Sequence, residues 1–177
     1  MIATQFDWPV FAPTPMPPET TALPTAVSSA EIEEGIALHT LMEKLTHRPQ
    51  WPVAVMEAQT VSAWLPCKPS LAKVVCEQAQ TILSQPALAH FFDPARYRFA
   101  RNEMEIVTEE GIARFDRVVM FDDALWILDY KRNLLDSERL AYTQQLARYR
   151  VAAARVFPDR AIRTALITVD GRLIEIA

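Results

Sequence analysis

The stretch from Gly111 to Lys131 constrains the fold of this chain more than any other. It contains two runs rich in β-branched, aromatic and other large apolar residues, separated by two consecutive aspartates. Runs of this composition favour β-strands, and a short polar segment between them favours an antiparallel return. The stretch is therefore predicted to be a β-hairpin that turns at Asp122 and Asp123.

The turn also sets the register of this hairpin. Counting outward from the aspartate pair brings residues of the two strands opposite one another, namely Phe121–Ala124, Met120–Leu125, Val118–Ile127 and Asp116–Asp129. Because side chains alternate between the two faces of a strand, Asp116, Asp129 and Lys131 are expected on one face. Two carboxylates and an ammonium group should therefore converge there.

Opposed carboxylates on a sheet repel each other, and one of them acquires a raised pKa unless a cation neutralises them. A metal ion is the simplest such cation. The alternative is a pair of edge carboxylates that face solvent. The apolar neighbours on the same face, Val118 and Ile127, favour the metal site.

Length and composition fit a single domain. The chain has 177 residues, half of them hydrophobic, which is enough for a substantial core. Residues 1–27 contain six prolines and little apolar periodicity, so they are predicted to be a linker or an arm that precedes one domain over residues 28–177. No apolar run approaches the roughly 20 residues of a spanning helix, and the start does not resemble a signal peptide. A cytoplasmic protein without a membrane partner is expected.

The charge of the chain is unevenly distributed. The formal net charge is -4, yet residues 96–163 carry 13 Lys and Arg against 11 Asp and Glu. The predicted hairpin lies in this region, and a metal would neutralise at least two of its acids, so the local field suits the approach of a phosphate. The two cysteines, Cys67 and Cys76, are too few for a four-cysteine metal site and are interpreted as packing residues.

A first helix is predicted to begin at Ser28, because Ser28 and Glu31 have the spacing of a capping box. Its inner face is predicted from residues at helical spacing, which are Ile32, Ile36, His39 and Glu43. A histidine in such a stripe is either a hydrogen-bonded core residue or a metal ligand. Gly35 inside the helix indicates close packing.

Two further helices without a chemical motif are predicted over residues 51–64 and 69–84, and a strand over residues 97–107. Alternation places Arg101 and Glu103 on one face of this strand and the apolar Met104 on the other. Glu103 or Glu105 would either reach the metal region or lie on a solvated face. The solvated face is the favoured interpretation.

After the hairpin, Ser137 is predicted to cap a helix that runs from Glu138 to about Phe157. Its inner stripe is predicted to consist of Tyr142, Gln145, Tyr149, Ala152 and Val156. Gln145 is the unusual member, because a buried amide must be hydrogen-bonded. It either bonds Tyr149 within the helix, or both groups face a water or a phosphate at the metal site. Strands over residues 161–169 and 173–176 complete the chain.

Four short motifs resemble one nuclease family. They are, in order, Gly35-x-x-x-His39-x-x-x-Glu43, Phe115-Asp116-Arg117, Asp129-Tyr130-Lys131 and Gln145-x-x-x-Tyr149. With the predicted strand–strand–strand–helix order, they resemble the RecB/AddA-type nuclease domain of the PD-(D/E)XK superfamily over residues 35–149. Phe115 stands where much of the superfamily has proline, and Asp129 stands where many relatives have glutamate.

The resemblance implies an α/β fold with a restriction-endonuclease-like core, in which a central mixed β-sheet is flanked by helices and preceded by an N-terminal helical region. It also implies roles for individual residues: metal binding by His39, Asp116 and Asp129, catalysis by Lys131, contacts to the active site and the DNA path by Gln145 and Tyr149, and auxiliary roles for Glu43 and Glu103. In the full-length relatives, such a domain forms the C-terminal end of a large helicase-nuclease. The implied partners are DNA and a helicase, either a subunit or a covalently attached domain, although a small stand-alone nuclease is also consistent with the proline-rich start.

Phosphodiester hydrolysis needs a water that loses its proton near neutral pH and a means of stabilising charge on the phosphate, and a metal held by carboxylates supplies both. Carboxylates and waters suit Mg²⁺, while the imidazole of His39 makes Mn²⁺ an equally good occupant. Lys131 would orient the water or stabilise the oxyanion.

Three functions remain open from the sequence. The leading one is a metal-dependent DNA nuclease, an exonuclease in recombination or repair that acts on ends or single strands fed by a helicase motor. The second is a catalytically inactive nuclease-like domain that binds DNA or a protein partner. The third is a metal-dependent hydrolase of another phosphoester, which the basic central region disfavours.

Overall fold

A computed structural model describes residues 28–65, 67–108 and 111–176, so the prediction for residues 1–27 lies outside the described residues. In the described chain, four helices precede three strands, and a long helix and two strands follow. The elements are α1 (Ser29–Thr46), α2 (Ala58–Trp64), α3 (Pro69–Ser84), α4 (Ala89–Phe92), β1 (Phe99–Thr108), β2 (Gly111–Met120), β3 (Ala124–Lys131), α5 (Asp136–Val156), β4 (Ala161–Thr168) and β5 (Leu173–Ile176).

The described strands form one five-stranded mixed sheet in the order β1-β2-β3-β4-β5. Strands β3 and β4 are parallel, and the other neighbouring pairs are antiparallel. The parallel pair requires a crossover, and α5 supplies it. The predicted α/β fold, with a central mixed sheet flanked by helices, is therefore confirmed.

The hairpin of β2 and β3 has the predicted register near its turn, whereas the predicted Asp116–Asp129 pair is not part of the regular pairing. Met120 pairs with Leu125 and Val118 with Ile127, and the Phe121 N–H donates to the Ala124 carbonyl at 2.9 Å. The regular pairing extends to Arg117 and Leu128. Beyond that pair, the Tyr130 N–H donates to Oδ2 of Asp116 at 2.8 Å, so a side chain accepts a bond from the β3 backbone.

Helices cover both faces of the sheet. On one face, buried side chains of α1, α2, α3 and α4 pack with Val119, Trp126, Leu128 and Tyr130. On the other face, Ala152 and Ala153 of α5 pack with Val118, Leu125 and Ile127. Seven of the eight residues of β3 are buried, as expected for a strand covered on both sides.

Helix α1 begins with the predicted capping box, since Ser28 and Glu31 bond each other's backbone reciprocally. Its inner face is not the predicted stripe, because Ile32 and Ile36 are 52% and 64% exposed. The packed residues lie in its second half and are Ala37, Leu38, Leu41 and Met42. The interpretation of Gly35 was also wrong, because a side chain there would meet no described atom within 4 Å.

Two other predicted helices are corrected. The predicted helix over residues 51–64 begins only at Ala58, after a segment without helical structure that follows the cis Trp51–Pro52 peptide. Helix α5 begins at Asp136 without a side-chain cap, so Ser137 lies inside it. Val156 of the predicted stripe is exposed, while Leu146 and Ala153 are buried instead. The short α4 was not predicted. Helix α3 and strand β5 have the predicted bounds, and β4 ends one residue early.

Candidate metal and catalytic site

His39 and Asp116 meet at the point where α1 crosses the end of β3. The His39 Nε2–H donates to the Tyr130 carbonyl at 2.9 Å, and its Nδ1 lies 3.3 Å from Oδ1 of Asp116. The side chains are 30% and 12% exposed. Because a carbonyl can only accept, Nε2 carries the hydrogen and Nδ1 is directed at the carboxylate.

This orientation suits a metal ligand. A histidine that donates one ring N–H to a backbone carbonyl has its other nitrogen fixed for coordination. Burial lowers the pKa of His39, but the hydrogen bond and charge of Asp116 outweigh burial, so the pKa is raised overall. A proton or a cation is thus favoured between Nδ1 and Asp116, and metal binding there would release that proton.

Glu103 of β1 is the third member of this cluster. One ligand atom each from His39, Glu103 and Asp116 lies within 4.8 Å of the others. The interpretation that Glu103 lies on a solvated face is therefore wrong. Glu105 is exposed, in agreement with the same interpretation for that residue. An ion pair at 3.0 Å joins Glu103 to Arg114. Burial raises the pKa of Glu103, and the charge of Asp116 raises it further, against the opposing effect of Arg114.

The backbone explains why alternation failed at Glu103. Its φ is +47°, a left-handed value that is uncommon for residues other than glycine. On either side of it, Ala100 and Asn102 pack towards α1, whereas Met104 and Ile106 pack towards α5. The alternation therefore shifts by one residue at Glu103. Asp116 lies opposite Glu103 on β2, and the alternation of β2 shifts there as well. Phe115 and Val118 are three residues apart, yet both pack on the α5 face.

Asp129 and Lys131 lie beside the cluster on β3. Lys131 Nζ lies 2.9 Å from Oδ2 of Asp129, and the side chains are 23% and 7% exposed. Burial, followed by the charge of Asp116, raises the pKa of Asp129 to about 6 despite the opposing effect of Lys131. The charge of Asp129 in turn raises the pKa of Lys131 against the effect of burial. The expected convergence of two carboxylates and an ammonium group is thus present.

The predicted metal ligands are not all in the closest group. His39 and Asp116 belong to the cluster within 4.8 Å, while Asp129 is paired with Lys131. The role of Asp129 as a ligand stays a prediction. Glu43 is half-buried on α1 and acts on Glu103 through its charge.

The donor set fits a divalent cation. It combines one imidazole nitrogen with two carboxylates, all partly accessible to solvent. Oxygen-rich sites with one nitrogen suit Mg²⁺ and Mn²⁺ better than softer metals. Such an ion would reduce the repulsion between the carboxylates of Glu103 and Asp116 and would accept the lone pair of the His39 Nδ1.

Gln145 and Tyr149 form the internal hydrogen bond that was one of the two interpretations. The Gln145 Nε2–H donates to the Tyr149 hydroxyl at 2.9 Å. The Tyr149 ring packs on Phe115, with centroids 4.8 Å apart, directly next to Asp116. Both residues are half-buried and line a groove, so the bond does not remove them from solvent. Tyr142 lies one turn earlier, where Lys131 stands 5.0 Å from its ring centroid.

Two supporting residues were missed by sequence reasoning. Arg117 is 1% exposed. Its Nε and Nη2 donate to the Phe91 carbonyl. Its Nη1 donates to Oδ1 of Asn102 at 2.7 Å. Asn102 in turn donates to the Glu43 carbonyl and the Thr46 hydroxyl on α1. The sequence signal that could have identified Arg117 is the presence of an arginine within an otherwise apolar strand. This network joins β1, β2, α1 and α4 directly behind Glu103 and Asp116.

Comparison with known proteins gives one result. The family model described as the PD-(D/E)XK nuclease superfamily matches residues 19–175, which covers the described sheet except for Ile176, the last residue of β5. A comparison with curated proteins found no match. In the described residues, no helix is both long and apolar enough to span a membrane.

Proposed function

This chain belongs to the PD-(D/E)XK nuclease superfamily, and from that premise we propose that it is a divalent-metal-dependent deoxyribonuclease of the RecB/AddA type. The observation that carries the proposal is the cluster of His39, Glu103 and Asp116 beside the Asp129–Lys131 ion pair. Mg²⁺ or Mn²⁺ is the proposed cofactor.

We assign the holding of the cation to His39, Glu103 and Asp116, with Asp129 as the adjacent carboxylate. When bound, a divalent cation at such a site polarises the phosphate and lowers the pKa of water. The residues of the chain would orient the side chains that hold the cation. The backbone of Tyr130 is bonded on one side by His39 and on the other by Asp116, which holds both side chains against β3.

Lys131 is the proposed catalytic cation. Its ammonium group is mostly buried and lies between Asp129 and the ring of Tyr142, so its position is restrained. It would donate to a phosphoryl oxygen as negative charge develops there, or orient the attacking water. Gln145 and Tyr149 would contact the substrate beside Phe115.

The order of the four motifs supports the RecB/AddA assignment, and that assignment implies an exonuclease in recombination or repair, supplied with DNA by a helicase subunit or attached domain. Residues 28–177 would form the nuclease domain and residues 1–27 an arm or linker. The basic composition of residues 96–163 supports a nucleic-acid substrate over a small phosphoester.

The test is cleavage of labelled linear single- and double-stranded DNA with Mg²⁺ or Mn²⁺, together with DNA binding in Ca²⁺. Lys131→Ala leaves the carboxylates in place, so it should retain binding and lose cleavage by on the order of a hundredfold to a thousandfold. Arg132→Ala is the matched control, because the neighbouring cation pairs with Glu31 on α1 instead.

The two variants also separate the nuclease from a binding-only relative. Wild-type protein that binds DNA and never cuts it under either metal would favour the inactive nuclease-like domain. Cleavage by Lys131→Ala at the wild-type rate would contradict the role of that residue.

A further inference from the structure

The ion pair of Glu103 and Arg114 lies at the edge of the candidate metal cluster. The Arg114 Nε stands 3.0 Å from Oε2 of Glu103, and Glu103 supplies one of the three ligand atoms of the cluster. Arg114 is 64% exposed on β2, and Glu103 is 28% exposed on β1. Glu103 is a proposed ligand of the cation, whereas Arg114 has no part in the proposed function. The same carboxylate therefore has two partners of positive charge to choose between.

These two partners of Glu103 oppose each other. A divalent cation held by the cluster would lie close to the Arg114 guanidinium, because both would contact one carboxylate. Positive groups at such a distance repel each other, and more strongly in a partly buried site than in water. A guanidinium does not lose its proton, so the repulsion cannot be relieved by titration of the arginine. Cation binding should therefore weaken the ion pair and favour another position of the Arg114 side chain.

Arg114 is also the basic side chain of the site that can move most easily. Three carboxylates of the site are each paired with a basic side chain, in the pairs His39–Asp116, Arg114–Glu103 and Lys131–Asp129. The side chains of His39 and Lys131 are 30% and 23% exposed, against 64% for Arg114. Exposed ion pairs contribute little to stability, because water competes for both charges. Arg114 can therefore leave its carboxylate at a small cost in free energy.

A phosphate of the substrate suits the released guanidinium. Arginine binds phosphate oxygens through two parallel hydrogen bonds, a geometry that an ammonium group does not offer. Arg114 stands two residues before Asp116 on β2 and already reaches the cluster through Glu103. The proposed function requires the DNA backbone at this cluster, so a phosphate there lies within the range of the arginine.

We infer that Arg114 exchanges between Glu103 and a phosphate of the DNA, so that cation binding and DNA binding strengthen each other. Arg114 gives up Glu103 when a divalent cation binds at the cluster, and it then contacts the DNA. By linkage, DNA that holds Arg114 leaves Glu103 more available to the cation by the same factor. The inference rests on the proposed function and adds a way in which the site is loaded together with its substrate.

The first experiment measures cation affinity in the protein without DNA. A titration with Mn²⁺, followed by electron paramagnetic resonance of the free ion, gives the Kd. Arg114→Gln removes the competing charge and should tighten Mn²⁺ binding roughly two- to fivefold, the size expected for one partly exposed ion pair. Arg114→Lys keeps the charge and should return the Kd close to the wild-type value.

Arg98→Gln is the matched control for the loss of charge. Arg98 is 62% exposed and pairs with Asp122 through its Nε, as Arg114 does with Glu103. Its backbone N–H donates to the Met120 carbonyl, four residues beyond Asp116 on β2. Because it lies away from the cluster, its substitution should leave the Mn²⁺ Kd unchanged.

The second experiment measures DNA binding in EDTA and in Ca²⁺. Fluorescence anisotropy of labelled linear single- and double-stranded DNA gives the Kd of each protein under both conditions. Ca²⁺ should strengthen binding about tenfold more in the wild type than in Arg114→Gln, because a charge-assisted contact to phosphate forms only after Arg114 has left Glu103. Loss of a charge alone would weaken binding equally under the two conditions. Arg98→Gln should respond to Ca²⁺ as the wild type does, and circular dichroism checks that each variant is folded.

Three results would overturn the exchange. Weaker Mn²⁺ binding by Arg114→Gln would mean that Arg114 orients Glu103 as a ligand, and an unchanged Kd would mean that it does not compete with the cation. An equal loss of DNA affinity in EDTA and in Ca²⁺ would mean that Arg114 does not move to a phosphate. In that case its new partner would be Glu105, the exposed acid directly opposite it on β1.

The same measurements separate the exchange from the proposed function. The expected pattern of Kd values in a protein that never cleaves DNA supports the exchange and contradicts only the nuclease activity. Cleavage by the wild type, together with unchanged Mn²⁺ and DNA affinities in Arg114→Gln, contradicts only the exchange. A wild type that binds no divalent cation contradicts both.

Discussion

At the scale of single residues, the backbone of Tyr130 organises the candidate site. His39 donates to its carbonyl and Asp116 accepts from its N–H, and the residues on either side of it are Asp129 and Lys131. Two side chains from other elements are thus aimed by one residue of β3. The side chain of Tyr130 is buried in the core with 3% exposure, and a displacement of this residue would move both side chains that its backbone holds.

The clustered carboxylates predict stabilisation by metal. Binding of Mg²⁺ or Mn²⁺ to the native state alone should stabilise the protein by roughly 2.7 kcal/mol at a hundredfold excess over the Kd. Asp116→Ala and Glu103→Ala should reduce this gain, whereas Glu105→Ala, at an exposed position two residues away, should not. Melting curves across millimolar metal measure the effect. A wild-type melting temperature that does not respond to either ion would contradict the site.

At the scale of elements, α5 contributes side chains next to the site and to the groove that Gln145 and Tyr149 line. These are Tyr142 beside Lys131, and Gln145 and Tyr149 beside Phe115. Arg148 and Arg155 line the groove further along the helix. Only a narrow set of α5 residues is fully buried, namely Leu146, Ala152 and Ala153. The partly exposed side of the helix is thus available for contacts with a substrate.

Gln145 tests whether this side serves substrate or stability. Gln145→Ala removes one partly exposed hydrogen bond to Tyr149, so the unfolding free energy should change by no more than about 1 kcal/mol. DNA cleavage should fall substantially in kcat/KM. Gln144→Ala, at the exposed neighbouring position, should change neither quantity. A large loss of stability with normal cleavage per folded molecule would assign Gln145 to a packing role.

Arg117 tests the network that joins β2 to the helices. Arg117→Met leaves the buried Phe91 carbonyl and the Asn102 amide oxygen without their donors, so the unfolding free energy should fall by roughly 2–4 kcal/mol. Arg101→Met, at an exposed position on the adjacent strand, should cost no more than about 0.5 kcal/mol. Urea denaturation measures both variants. Equal decreases of the unfolding free energy in the two variants would show that the buried hydrogen bonds of Arg117 contribute no more to stability than the exposed side chain of Arg101.

At the scale of the whole molecule, the sheet separates two layers with different roles. The layer of α1 to α4 provides the larger hydrophobic cluster and carries His39. The layer of α5 provides smaller clusters and the groove. The cluster of His39, Glu103 and Asp116 joins α1 to β1 and β2, so its assembly depends on the packing of the α1 layer on the sheet.

Deletion of residues 1–27 tests the predicted domain boundary. The described residues already cover both faces of the sheet, so the shortened protein should melt within about 4 °C of the full chain, the shift that corresponds to roughly 1 kcal/mol for this size. Differential scanning calorimetry of the two proteins makes the comparison. A larger decrease would place part of the folded domain before Ser28.

Short-range patterns in the sequence determined much of the fold. The hairpin register follows from a turn and from the alternation of side chains, and both depend only on neighbouring residues. The capping box of α1 and the bounds of α3 are local in the same sense. Asp116, Asp129 and Lys131 could be selected for the same reason, because the alternation of the hairpin places them on one face, whereas the role of His39 was implied only by the family resemblance.

The tertiary structure decided which face each element presents and which side chains meet. Ile32 and Ile36 have the spacing of a buried stripe, yet they are exposed, because the described residues bury α1 only along its second half. Glu103 joins His39 and Asp116 because the backbone turns to a positive φ there and shifts the alternation of β1. Such a choice depends on contacts between residues far apart in the chain, whose energies outweigh local preference.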